Sequence, residues 1–171
     1  YAFKMPDRLH PDFFTIDLLS DALGRDKSAR LYVTLKKEQQ LVTDISAYIL
    51  GSLDEGLLVI SGKLNEGITF KQFDDALWSL IDELSANKLS DTELDRIMIK
   101  FRTAKEFQEQ GLLHRAMNLC NYELLGDPDG VNSESEKYHQ ITTDDILRCA
   151  KKILTKSNCS ILNIKADKNA K

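Results

Sequence analysis

Zinc hydrolysis run from a helix needs two histidines at helical ligand spacing with a carboxylate beside them. The chain has three histidines, His10, His114 and His139. The residues three and four further on are Phe13 and Phe14, Met117 and Asn118, and Thr142 and Thr143. Neither H-x-x-E-H nor H-E-x-x-H occurs, so the sequence offers no zinc site and no catalytic residues of its own. Nucleophilic chemistry has no better footing, because there is no Gly-x-Ser-x-Gly elbow and no glycine loop to cradle phosphate. Cys120, Cys149 and Cys159 form no C-x-x-C pair and read as small buried hydrophobes. Asp127, Asp129, Glu134 and Glu136 crowd one stretch, but their spacing misses a calcium loop and reads as a turn and a solvated loop. His114, close to Gly111, has no carboxylate or thiol partner fixed by sequence.

Composition narrows the classes further. The 171 residues favour one domain, set at 1–165, with a polar tail over 166–171. Hydrophobic residues are 42% and charged residues 29%, the balance of a soluble globular protein. The net charge is −4 and no basic block is interleaved with aromatics, which argues against a nucleic-acid partner. No apolar run approaches the roughly 18 residues of a membrane helix. No signal peptide is visible, and a strand-like pattern from Tyr1 onward suggests a piece excised from a longer protein. The compartment stays open between cytoplasm and periplasm.

The elements follow from periodicity. Residues 1–5 read as a short strand stopped by Pro6. His10-Pro-Asp12 opens a helix with an apolar stripe at Phe13, Ile16, Leu19 and Leu23, and Gly24 reads as its cap. Ser28 starts a shorter helix with Leu31 and Leu35 inside. Asp44–Leu50 and Gly56–Leu64 switch to period two and form a hairpin. Phe70, Phe73, Leu77, Leu80, Ile81 and Leu84 restore the helical period, with Trp78 beside them and the aromatics read as core. Ser90-Asp-Thr-Glu93 is a capping box that opens a long helix, broken near Gly111. A second segment carries Leu113, Ala116, Met117, Cys120 and Leu124. Asp127-Pro-Asp-Gly130 is a turn, and polar sequence continues to about Gln140. A last helix, capped at Thr142 or Thr143, precedes a closing strand over Cys159–Lys165. The order β-α-α-β-β-α-α-α-β, with an obligatory hairpin, predicts a two-layer α+β sandwich: a largely antiparallel sheet with amphipathic helices on one face.

Several of these pieces occur in a telling order: Ala22-Leu-Gly24, Ser28-Ala-Arg30-Leu-Tyr32, Leu35-Lys-Lys-Glu38, Asp54-Glu-Gly-Leu57, Leu89-Ser-Asp-Thr-Glu-Leu94, Glu123-Leu-Leu-Gly-Asp127 and Ile141-Thr-Thr-Asp-Asp-Ile146. Together they resemble the insulinase-type zinc peptidases, in their smaller bacterial and mitochondrial-processing-peptidase-like group. The match is to the second, inactive domain of that family. The resemblance implies a partner: a catalytic domain, in the same or a paired chain, that carries H-x-x-E-H and the zinc. The second domain would close over it and enclose a peptide substrate, with no cofactor of its own. It also implies two wall residues. The family stretch resembles L-R-E-x-x-G-L-A-Y, and here it is Leu35-Lys-Lys-Glu-Gln-Gln40-Leu-Val-Thr43. Lys36 takes the Arg position without its planar fork, and Thr43 takes the Tyr position without a phenol. Both remain candidate substrate-binding residues, against a reading as a helix end and a strand start. Against a contact with a substrate carboxylate, Arg30 reads as structural, anchoring its own helix by pairing with a carboxylate or a carbonyl. Relatives that have lost catalysis serve as assembly subunits, as in respiratory complex III, so a scaffold module is the competing function.

Overall fold

The computed structural model describes residues 1–51 and 53–165. The polar tail expected over 166–171 lies outside the described residues. Strand β1 is Ala2–Met5, helix α1 Phe13–Gly24, β2 Val42–Leu50, β3 Gly56–Leu64 and α2 Phe70–Ala86. Then come α3 Asp91–Glu109, α4 Leu112–Leu124, α5 Gly130–His139, α6 Thr143–Ile153 and β4 Cys159–Ser160. A π-helix, Tyr32–Glu38, joins α1 to β2. The sheet is antiparallel in the order β2-β3-β1-β4, so the expected α+β sandwich is the observed architecture.

Alternation decides which face is covered. Phe3 and Met5 of β1, Ile45 and Ala47 of β2, and Leu58 and Ile60 of β3 point into the core. They meet α1, which buries Phe13, Ile16, Leu19 and Leu23, and the apolar faces of α2 and α6. Trp78 and Phe73 pack on Tyr1 and Phe3 as tilted and edge-on aromatic pairs, which bears out their reading as core. The opposite face of the sheet stays open, with Tyr48, Leu50 and Leu57 partly exposed.

Side-chain caps mark the starts of three helices. Thr69 caps α2 and Thr142 caps α6, each in a reciprocal box with Gln72 or Asp145. Ser90 caps α3 by accepting from the Glu93 N–H. The Glu93 carboxylate does not complete that box; Arg30 takes it in a bidentate pair at 2.9 and 3.0 Å. Arg30 is thus the anchor the sequence implied. Gly24 is not a left-handed cap. It ends α1 where the helix crosses β2, and a Cβ there would sit 2.2 Å from the Ala47 nitrogen.

Four expectations need correction. Residues 130–139 form α5 rather than a solvated loop. The ladder of β4 covers two residues, Cys159 and Ser160, not seven. The Leu113, Met117, Cys120 and Leu124 stripe of α4 faces solvent, and Tyr122 is the buried residue of that helix. Of the three cysteines, Cys149 is buried, Cys159 half-buried and Cys120 exposed.

Candidate functional site

The two candidate wall residues lie where the π-helix turns into β2. Wide i→i+5 hydrogen bonding, with the Gln39 N–H donating to the Thr34 carbonyl at 2.9 Å, marks this helix, and such turns recur at functional positions. Leu35 is its buried anchor, and Lys36 lies half-exposed with its ammonium 5.0 Å from the Tyr32 ring centre. The chain then reverses through Gln40, whose φ is +53°, in the left-handed region that glycine enters without a Cβ penalty. This is the position where the family pattern has Gly. Asn65 holds the reversal: its side-chain amide donates to the Gln40 carbonyl and its N–H to the Leu41 carbonyl. Thr43 follows in an irregularity of the β2–β3 register and is exposed, its hydroxyl donating to the Lys63 carbonyl at 3.1 Å. Among the described residues no hydrogen bond joins Lys36 to Thr43.

The remaining chemistry-bearing side chains are dispersed. His10 accepts from the Asp12 N–H at its Nδ1, His114 is exposed on α4, and His139 lies 2.7 Å from Arg102. Among the described residues, no three His, Cys, Asp or Glu side chains come together in a group fit to hold a metal ion. The donor set of the described residues does not fit a resident zinc. Burial pushes the Cys149 thiol up to about 11, away from the thiolate a nucleophile needs. The Asp12 carboxylate is taken by Arg148 at 2.7 Å and Lys152 at 3.2 Å, which ties α6 to the start of α1.

One cluster escaped the sequence reading altogether. Glu134 of α5 pairs with both Arg8 and Lys105, the latter at 3.1 Å, and all three side chains are largely buried. The Arg8 guanidinium also stacks on Phe13 and Phe14, 4.6 and 4.7 Å from their ring centres. Tyr138 donates to Asp17 at 2.6 Å in the same layer. Arg8 and Glu134 are 126 positions apart, and no local spacing signals such a meeting. All are paired with one another, so the cluster is an internal tie rather than a reactive centre.

Comparison with known proteins places this geometry. The sequence pattern of the peptidase M16 inactive domain matches residues 1–101. The chain belongs to the peptidase M16 inactive-domain family. A curated relative is the zinc protease PqqE of Helicobacter pylori, 20% identical over 149 residues, which cover 87% of this chain and 34% of that one. Among solved structures, a protease from Helicobacter pylori superposes with a TM-score of 0.86 at 20% identity, covering 92% of this chain and 38% of that one. An inactive peptidase domain from Bordetella parapertussis gives 0.83 at 25% identity, covering 92% and 85%. The M16 chain described here thus spans about a third of the length of the curated relative it matches. No helix among its described residues is long and apolar enough to cross a membrane.

Proposed function

We propose that this M16 domain is the non-catalytic half of a zinc metalloendopeptidase. It packs against a catalytic domain, in the same or a paired chain, that holds the zinc. Together the two halves enclose an unfolded peptide. The observation that carries the reading is family membership as the inactive domain, joined to described residues that bring no metal-binding group together. Work is divided accordingly: zinc and general base belong to the partner, and this chain supplies a wall that excludes folded substrates. Lys36 and Thr43 line that wall. A half-exposed lysine on a π-helical turn and an exposed hydroxyl at a strand irregularity support the assignment. Lys36 contributes a point charge for substrate carbonyls or carboxylates, without the bidentate grip of an arginine.

Reconstitution is the test. The catalytic partner is assayed for peptide cleavage with zinc, with and without this chain. Cleavage that depends on the chain, and a raised KM in Lys36→Ala, are the expected results. Full activity of the partner alone would overturn the proposal.

The replacement of Arg and Tyr by Lys36 and Thr43 favours one second reading, a catalytically dead assembly module of the same family. The partner's sequence separates the two. An intact H-x-x-E-H supports the peptidase, and a degenerate one supports the scaffold.

A further inference from the structure

Helix α1 starts without a side-chain cap. Asp12 stands at its N-cap, where an aspartate commonly accepts from the second or third helical N–H. Here α6 draws the carboxylate away: Arg148 donates to it at 2.7 Å and Lys152 at 3.2 Å. The N–H groups of Phe14 and Thr15, the second and third of the helix, have no acceptor among the described residues. Two free donors at the positive end of a 12-residue helix suit an anion.

A buried hydroxyl points the same way. Thr15 is 4% exposed, and its hydroxyl makes no hydrogen bond among the described residues. No side-chain oxygen sealed from solvent is without a partner among those residues, so this one reaches solvent. It does so in a cavity of about 440 Å³ that Phe14 and Thr15 line, between the starts of α1 and α6 and the ends of α4 and α5. Phe14, Leu125 and Ile141 supply apolar wall. Lys137 lines the cavity as well. Its ammonium lies 5.6 Å from the Phe14 ring centre and pairs with no carboxylate among the described residues.

The other charges set what the cavity can hold. Arg148 pairs with Asp12 and Asp145, and Arg8 is taken by Glu134. Among the described lining residues that leaves Lys137 as a cation and Asp127 as an anion. A dianion such as phosphate would face Asp12, Asp127 and Asp145 with one free ammonium to offset it. A single negative charge needs only that one. We propose that this cavity binds a singly charged carboxylate carried on an apolar body. The carboxylate accepts from the Phe14 and Thr15 N–H groups and from the Thr15 hydroxyl, with Lys137 as its counter-charge. The apolar body rests on Phe14, Leu125 and Ile141. The volume lies within the range of small-molecule sites, about 300–1,000 Å³. A free organic acid and the C-terminus of a short peptide present this same chemistry. Neither Lys36 nor Thr43 lines the cavity, and the readout is binding to this chain rather than cleavage, so the inference does not depend on the peptidase reading.

Nuclear magnetic resonance titration of the isotope-labelled chain follows the amide shifts of Phe14 and Thr15. Hydrocinnamate and N-acetyl-alanyl-phenylalanine are the two acid probes. One or both should move these amides, and the tighter binder identifies the source as a free acid or a peptide terminus. N-acetyl-alanyl-phenylalaninamide, which lacks the charge, should leave them in place. Thr15→Val and Lys137→Gln should each weaken binding about tenfold. Lys137 is exposed, so its variant decides the matter even where Thr15→Val does not fold. Amides unmoved by both acids overturn the proposal. So do equal binding of the uncharged amide, equal shifts from inorganic phosphate, and undiminished binding in Lys137→Gln.

Discussion

Two halves of the molecule are held together by different forces. The sheet with α1, α2 and α6 is held by apolar burial: α1 buries ten of its residues and α2 six. The arm of α3, α4 and α5 buries two residues, one and two, respectively. What fixes the arm is charge: Arg30 on Glu93, Lys100 on Asp26, Arg8 and Lys105 on Glu134, and the Tyr138–Asp17 hydrogen bond. Apolar burial is non-directional and insensitive to pH. An ionic tie is directional, depends on protonation, and is costly to break from one side only. The core should therefore set global stability, and the arm should open at lower cost.

The largest effect belongs to the core. Leu58 is fully buried in the middle of β3 between β1 and β2. Leu58→Ala removes its contacts and leaves a cavity, at a cost of about 3 kcal/mol in global unfolding. Urea denaturation followed by Trp78 fluorescence measures it. A loss below about 1 kcal/mol would mean that the sheet is not the stabilising half.

Next comes the arm's tie. Glu134→Ala leaves Arg8 and Lys105 as neighbouring cations with only Glu109, 4.0 Å from Lys105, as a remaining carboxylate partner, and costs about 2 kcal/mol. The loss should be local: amides of α4 and α5 exchange faster while those of β3 do not. Uniform acceleration across both halves would erase the distinction.

Acid acts on individual carboxylates with opposite signs. Burial works against the charge of Glu134, but Lys105 and Arg8 hold its carboxyl below the ordinary range; the Arg30 hydrogen bond does the same for Glu93. Burial also opposes Asp26, yet hydrogen bonds from Lys100 and Ser28 hold it down at about 2. Such groups stabilise fully above their unfolded values, and the contribution is lost as pH falls through the folded ones. Asp21 of α1 runs the other way, because burial pushes its carboxyl up to about 6 in spite of Arg25. The folded state binds that proton more tightly, so stability rises as pH drops from 7 toward the unfolded value. Asp21→Asn should then stabilise the protein by about 1 kcal/mol at pH 8. The gain should shrink to nothing by pH 4. A constant difference across that range would show that Asp21 does not titrate with folding.

How much of this could be read in the sequence differs between the halves for the same physical reason. Hydrophobic period is local, so the hairpin, α1, α2 and α6 were legible, along with the caps at Ser90 and Thr142. Long-range charge pairing leaves no local trace. Glu134 looked like one acid in a polar loop, and α5, which it helps to hold, was missed with it. The α4 stripe misled because apolar spacing reveals amphipathicity but not what covers the apolar side. Of the candidate site, Lys36 and Thr43 were visible only through the family pattern, and that pattern also marked Gln40. Its left-handed backbone predicts that Gln40→Gly stabilises by about 0.7 kcal/mol, with the lost unfolded-state restriction offsetting part of the relieved strain. Thermal unfolding checks it, and a lowered Tm would mean that the Gln40 side chain contributes more than its backbone costs.

The smallest effect is the most diagnostic for the arm. Met117 is 55% exposed on the α4 stripe, with Leu113 and Leu124 at 71% and 69%. In an inward-facing helix a charge at this position would cost several kcal/mol. Here Met117→Glu should change the stability of this chain by less than about 0.5 kcal/mol, because the carboxylate stays in water. The neighbouring charges do not alter that balance: Arg115 precedes it and Glu123 lies more than a helical turn away. Chemical denaturation of the variant measures the difference directly. A loss of about 2 kcal/mol or more would place the α4 stripe against the rest of the fold in solution, and would extend apolar burial to the arm.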